Sequence, residues 1–249
     1  MIASEKIAVI TGASRGIGLA TAQLFVARGW RVITCARGEA PDEAAMKTSE
    51  GNWSRHIRAD LADASSTENL IKELSAELGD APLHALINNA GMSPKQPNRE
   101  RLGALNGDID AWRAVFELNF FAPLKLGRGL ARPLAKGHGA IVNVTSIAGH
   151  MIHPFAGSAY SCSKAALSAL TREMANEFAA INVRVNAVAP GEIATAMIQP
   201  EYEMLIPRIP LNRMGTPDDV ARTIHYLCSE DSAYVTGSEV WVTGGQHMF

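Results

Sequence analysis

Thr11-Gly12-Ala13-Ser14-Arg15-Gly16-Ile17-Gly18 stands between a short apolar run, Ile7–Ile10, and a stretch at helical spacing, Leu19–Arg28. A glycine-rich turn between a strand and a helix meets three needs of a dinucleotide site. Gly12 permits a tight reversal, Gly16 lets the backbone approach a pyrophosphate, and Gly18 suits close packing of helix on strand. The helix that follows presents unpaired N–H groups and a positive dipole end to phosphates. The spacing is G-x-x-x-G-x-G rather than the usual G-x-G-x-x-G, so the generic fingerprint is matched only in part.

Outward from this turn, strand-like and helix-like stretches alternate along the chain. Strands are predicted at Ile7–Ile10, Arg31–Cys35, Arg55–Ala59, Ala85–Ile87, Ala140–Val144, Val183–Val188 and Val240–Val242. Helices are predicted at Leu19–Arg28, at Ser65–Leu78 with Leu70, Leu74 and Leu78 on one face, at Ala111–Leu134 with Asp110 as N-cap, and at Ala159–Ala180. Apolar strands alternating with helices imply an α/β fold, a parallel sheet of about seven strands covered on both faces. The 249 residues fit a single domain over 1–249, without repeats or linkers. Two long irregular stretches, Met92–Asp110 and Glu192–Gly215, follow strand C-termini, where open α/β sheets bind ligands. The second, about 192–215, is the expected substrate loop.

Composition narrows the function. Hydrophobic residues make up 47% and charged residues 19%, a globular balance, and the formal charge of −2 offers no basic footprint for nucleic acid or a membrane surface. No apolar run approaches the roughly 18 residues of a membrane span, and the N-terminus lacks a signal-peptide pattern. A cytoplasmic protein is the expectation. Cys35, Cys162 and Cys228 have no C-x-x-C spacing and read as reduced packing residues.

The end of the second strand bears on cofactor choice. A site for the unphosphorylated cofactor places a carboxylate there, against the ribose 2′-hydroxyl. Here Ala36 is neutral and Arg37 follows, so a 2′-phosphate would be bound rather than repelled. Arg15, in the glycine turn, can approach the same phosphate. Further along, Ser146 follows the fifth strand, and Tyr160 and Lys164 lie four apart on one helical face. A cation at about 4 Å, at an effective dielectric near 20, contributes on the order of 4 kcal/mol, and a pKa unit corresponds to about 1.4 kcal/mol. Lys164 is therefore expected to bring the Tyr160 phenol most of the way from about 10 to neutrality, making it an acid for carbonyls and a base for alcohols. Pro123, four residues after Asn119, has no N–H for the Asn119 carbonyl, which predicts a local kink.

With these residues in place, from Lys6 to Gly245 the chain resembles the classical short-chain dehydrogenase/reductase family. The resemblance rests on Thr11–Gly18, Asp60, Asn88-Asn89-Ala90-Gly91, Asn119, Ser146, Tyr160, Lys164 and Pro190-Gly191 with Thr195. It implies a Rossmann-like, doubly wound sheet and a catalytic tetrad of Asn119, Ser146, Tyr160 and Lys164, in which water near Asn119 links Lys164 to solvent. It also implies cofactor contacts from Gly12, Ser14, Arg15, Gly16, Ile17, Gly18, Asp60, Leu61, Asn89, Ala90, Gly91, Tyr160, Lys164, Pro190, Gly191, Ile193 and Thr195. With Arg37, these point to NADP(H) as cofactor. The family is commonly homotetrameric.

The expected activity is hydride transfer between NADP(H) and a small or medium carbonyl or alcohol. A 3-oxoacyl-carrier-protein reductase is the alternative within the family, and a non-catalytic dinucleotide sensor the alternative outside it. Glu192, Glu201 and Glu203 leave the expected lid without a cationic rim for an acidic carrier. Met197, Ile198, Met204, Leu205 and Ile206 are read either as an apolar lid or as a subunit contact. His150 and His153 are read as pocket walls or ordinary loop residues, and no metal site is expected.

Overall fold

Residues 5–41, 46, 53–97, 100–195 and 200–248 are described by the computed structural model. Seven strands form one parallel sheet in the order β3-β2-β1-β4-β5-β6-β7. These are β1 (Ile7–Thr11), β2 (Arg31–Ala36), β3 (Trp53–Arg58), β4 (Ala85–Asn88), β5 (Ala140–Val144), β6 (Arg184–Pro190) and β7 (Glu239–Val242). The strand order reverses direction between β1 and β4, which opens a crevice at their C-terminal ends.

Strand alternation explains why both faces are covered. Ile7 and Val9 of β1 enter one apolar cluster, while Ala8 and Ile10 enter the other. The first cluster is closed by α2 (Ala64–Leu78) through Leu70, Leu74 and Leu78, by α4 (Ala122–Gly129) and by α6 (Ser158–Ala179). The second is closed by α1 (Gly16–Ala27) through Phe25 and Val26, and by α7 (Pro217–Cys228) through Ile224 and Leu227. Inside the sheet, Asn88 Nδ2 donates to Asn143 Oδ1 at 2.8 Å and Asn143 Nδ2 donates to Thr171 Oγ1 at 2.9 Å. That buried chain ties β4 and β5 to α6.

Several expectations need correction. The long helix over Ala111–Leu134 is four pieces: α3 (Ile109–Phe116), a π turn at Glu117–Phe121, α4, and α5 (Ala131–Lys136). The π turn holds Asn119 and ends where Pro123 enters the first turn of α4, the kink that a missing N–H demands. The N-cap of α3 is Asp108, whose carboxylate accepts from Ala111 N at 3.3 Å; Asp110 sits in the first turn and pairs with Arg113. Helix α7 was not expected. Its start is a capping box in which Thr216 Oγ1 accepts from Asp219 N and Asp219 Oδ2 accepts from Thr216 N. Residues Pro200–Arg208 form a 3-10 helix inside the expected substrate loop. Cys35 and Cys228 are buried, with thiols pushed up to about 12 by burial, but Cys162 is exposed and is not a packing residue. No described helix is long and apolar enough to cross a membrane.

Candidate active site

A cavity of about 510 Å³ runs along the crevice at the C-terminal edge of the sheet. One end is the glycine turn. Gly12 and Gly16 have φ of 67° and 57°, in the left-handed region. A Cβ on Gly12 would stand 2.8 Å from Ala90 Cα and 2.8 Å from Asn89 Nδ2, so the turn packs directly on the segment after β4. Asn89 Nδ2 secures that contact by donating to Thr11 O at 2.9 Å and Gly12 O at 3.1 Å. Thr11 Oγ1 accepts from Asn89 N at 3.1 Å and Ala90 N at 3.0 Å. Gly18 does not line the cavity; its missing side chain leaves room for Gly12 O and Asn89.

Arg15, Ala36, Arg37 and Asp60 gather at this end of the cavity. Among the described residues no carboxylate pairs with the Arg15 or Arg37 guanidinium, whereas Arg58 pairs with Glu39. The Asp60 carboxylate is turned to its own loop, accepting from Ala62 N at 3.0 Å. Two guanidinium groups and a neutral Ala36 thus share this end with one carboxylate, Asp60, which is engaged with its own loop.

At the other end stand Ser146, Tyr160 and Lys164. Lys164 is buried, donates from Nζ to Val144 O at 2.7 Å, and lies 5.8 Å from the centre of the Tyr160 ring. Burial pulls its ammonium down to about 8. The expected lowering of the phenol is not what results. Burial raises Tyr160, the adjacent Ser146 hydroxyl opposes that rise, and the Glu192 carboxylate adds to it. Burial is the largest influence on the phenol, and the Lys164 ammonium is drawn toward a backbone carbonyl.

Asn119 lies behind this group rather than on the cavity wall. Fully buried, it accepts from Met92 N at 3.0 Å and donates to Met92 O at 3.1 Å and Ser163 Oγ at 3.0 Å. Ser163 Oγ donates in turn to Tyr160 O at 2.7 Å. Gly91 matters here, because a Cβ would come within 3.3 Å of Lys164 Nζ and 3.4 Å of Asn119 Oδ1. The remaining residues singled out from sequence as cofactor contacts (Ser14, Ile17, Leu61, Ala90, Pro190, Gly191, Ile193 and Thr195) all line the cavity.

The wall nearest Tyr160 includes three residues with no role in the sequence reading or only a loose one: His153, Glu192 and Tyr202. Their convergence joins the loop after β5, the end of β6 and the 3-10 helix, and no local spacing announces it. His150 is not on the wall; its Nε2 lies 2.9 Å from Glu239 Oε2, outside the cavity. Met204, Leu205 and Ile206 do not line the cavity either, and Met197 and Ile198 lie outside the described residues. The described residues contain no cluster suited to a metal ion.

A family model described as Enoyl-(Acyl carrier protein) reductase matches residues 12–247. The chain is 51% identical over 244 residues to Protein FixR of Bradyrhizobium diazoefficiens, covering 98% of this chain and 87% of that one. It is 36% identical over 249 residues to cis-4-hydroxycyclohexanecarboxylate dehydrogenase of Sinomonas cyclohexanicum, covering 97% and 96%. Among solved structures, an oxidoreductase of the short-chain dehydrogenase/reductase family from Brucella ovis, in complex with a partially ordered NAD, matches at a TM-score of 0.80 and 44% identity, over 96% of this chain and 100% of that one. Likeness this broad is a family relationship: the chain belongs to the classical short-chain dehydrogenase/reductase family of oxidoreductases.

Proposed function

We propose that this chain transfers a hydride between NADP(H) and a small or medium carbonyl or alcohol, with Tyr160 as the acid and base. The observation that carries the reading is continuity: Tyr160, Ser146 and Lys164 stand on the wall of the same cavity into which the glycine turn opens. The turn suits a dinucleotide, since Gly12 and Gly16 leave bare backbone at left-handed positions and a side chain at Gly12 would run into Ala90 and Asn89. Gly12, Ser14, Gly16 and Ile17 would hold the pyrophosphate. Arg15 and Arg37 would hold a 2′-phosphate, and Asp60 and Leu61 would border the adenine. Asn89, Ala90 and Gly91 would line the middle, and Pro190, Gly191, Ile193 and Thr195 the nicotinamide end. The Brucella ovis relative carries NAD. The preference for NADP(H) here rests on Arg15 and Arg37, which pair with no carboxylate among the described residues, and on Asp60 being engaged with Ala62.

When bound, the dinucleotide supplies or takes up the hydride. The chain's own residues then manage the proton and the geometry. Ser146 donates a hydrogen bond to the substrate oxygen. Tyr160 gives its phenolic proton to that oxygen during reduction and takes it back during oxidation. A phenol raised by burial is protonated at neutral pH, which suits the acid role. Lys164, fixed on Val144 O, holds a cation beside the phenolate that reduction leaves behind. Asn119 and Ser163 brace the helix that carries both groups. Residues about 192–215 act as the substrate loop, with Tyr202 reaching the cavity.

The test is an NADPH-oxidation screen over ketones, aldehydes, quinones, sugars and carrier-linked and free β-ketoacyl thioesters, run in parallel with NADH. Turnover of a free carbonyl with NADPH preferred supports the reading. Dinucleotide binding without turnover of any compound would make the protein a sensor, and a strong salt-sensitive preference for the carrier-linked thioester would make it a carrier-protein reductase.

A further inference from the structure

One acidic group on the cavity wall has no part in hydride transfer. Glu192 follows Gly191 beyond β6, is only 4% exposed, and shares the cavity with Tyr160 and Ser146. His153 Nε2 lies 2.8 Å from Glu192 Oε1, and Gln246 Nε2 donates to the same oxygen at 3.2 Å. The imidazole's state follows from its other side. His153 Nδ1 accepts the N–H groups of Phe155 and Ala156 at 3.2 and 3.1 Å, so it carries the lone pair and Nε2 carries the hydrogen. A neutral ring therefore faces Glu192, and the pair retains a net negative charge.

Both donors fall on Oε1, and among the described residues none reaches Oε2. Gln246 Oε1 is buried and has no partner among the described residues. One buried acceptor, Gln246 Oε1, thus stands in want of a donor next to a carboxylate whose second oxygen makes no hydrogen bond among the described residues. Tyr202 adds an aromatic face to the wall, its ring centre 5.9 Å from that of His153. The other charged groups on the cavity are Arg15, Arg37 and Asp60 at the glycine end and Lys164, which is committed to Val144 O. The field of Glu192 reaches the Tyr160 phenol and opposes its ionisation.

We propose that Glu192, held by His153 and Gln246, selects carbonyl and alcohol substrates that carry a protonated amine and rejects those that carry a carboxylate. The inference rests on the hydride-transfer reading above. An ammonium would satisfy Oε2 with a charge-assisted bond, whereas a carboxylate would meet a like charge in a confined space. The Sinomonas relative is named for an alicyclic alcohol bearing a carboxylate. This wall is built for the opposite sign.

Three ring alcohols of one size supply the test: 4-aminocyclohexanol, 4-methylcyclohexanol and 4-hydroxycyclohexanecarboxylate, oxidised with NADP⁺ by the wild type and by Glu192→Gln. The expected wild-type kcat/KM is greatest for the amine, roughly ten- to a hundredfold above the methyl compound, with the carboxylate lowest. In the variant the ratio of amine to methyl compound falls to about one. A wild-type preference for the methyl compound or the carboxylate, or an unchanged ratio in the variant, overturns the proposal. Calorimetric binding of cyclohexylammonium and cyclohexanecarboxylate to the wild type needs neither turnover nor a folded variant. Tighter binding of the ammonium supports the inference, and equal or tighter binding of the carboxylate refutes it. Oxidation of the methyl compound with no preference for the amine defeats this inference alone. Absence of turnover across every carbonyl and alcohol defeats the activity, while the calorimetric result still decides the charge preference.

Discussion

Replacing Gly12 by Ala probes the join between sheet and cofactor cradle. The backbone there has φ of 67°, where an L-residue costs about 1–2 kcal/mol. The new methyl would lie 2.8 Å from Ala90 Cα and from Asn89 Nδ2, against a normal carbon contact of about 3.5–4.0 Å. Neither neighbour yields easily. Ala90 is backbone, and Asn89 Nδ2 is held by Thr11 O at 2.9 Å and Gly12 O at 3.1 Å. Overpacking of this kind costs about 1–3 kcal/mol, so the total loss is about 2–5 kcal/mol. Urea denaturation followed by circular dichroism should show a midpoint well below the wild type with an unchanged m-value. An NADPH fluorescence titration should show affinity weakened by roughly tenfold or more, because the displaced turn no longer aims its N–H groups at one point. A variant with wild-type stability and wild-type NADPH affinity would refute the claim that this turn is sterically locked.

The electropositive end of the cavity predicts cofactor preference: Arg37 should favour NADPH over NADH by roughly ten- to a hundredfold in kcat/KM, and Ala36→Asp with Arg37→Ile should reverse it. Equal wild-type values would contradict that assignment. Since burial raises Tyr160 and brings Lys164 down to about 8, carbonyl reduction should be level through neutral pH and decline as Lys164 loses its proton above about 8. The sign follows from charge: a neutral amine no longer stabilises the phenolate left by proton transfer. A pH–rate profile that stays level well into the alkaline range would count against it. Thr216→Ala removes half of the capping box of α7 and should cost about 1 kcal/mol, read as a shift in the urea midpoint with catalysis retained. No shift would mean that the cap contributes nothing to this helix.

The strands were legible because a parallel strand covered on both faces is a largely apolar run, as in Ile7–Ile10 and Ala140–Val142. Helix α7 was missed although Thr216-Pro217-Asp218-Asp219 carries the side chains of a capping box, followed by Val220, Ile224 and Leu227 on the core face. That signal is local and was available. The breaks in the long helix were legible only at Pro123; the π turn depends on how the chain packs around Asn119. Ser146, Tyr160 and Lys164 could be chosen by spacing, but their electrostatics could not. Spacing points to a lowered phenol, but sequence reveals neither the bond of Lys164 to Val144 O nor the burial of the phenol. The pairing of His153 with Glu192 spans 39 residues and exists only because β5 and β6 end side by side.

In the proposed function, Tyr160 supplies the proton in a cavity whose other end holds the dinucleotide. The most direct test of that role is Tyr160→Phe, assayed with NADPH and the best carbonyl from the substrate screen while NADPH affinity is measured on the same preparation. Removing the hydroxyl while keeping the ring should lower kcat by roughly 10²–10⁴-fold and leave NADPH binding intact. Near-wild-type turnover in a folded, NADPH-binding variant would remove Tyr160 from the proton-transfer role.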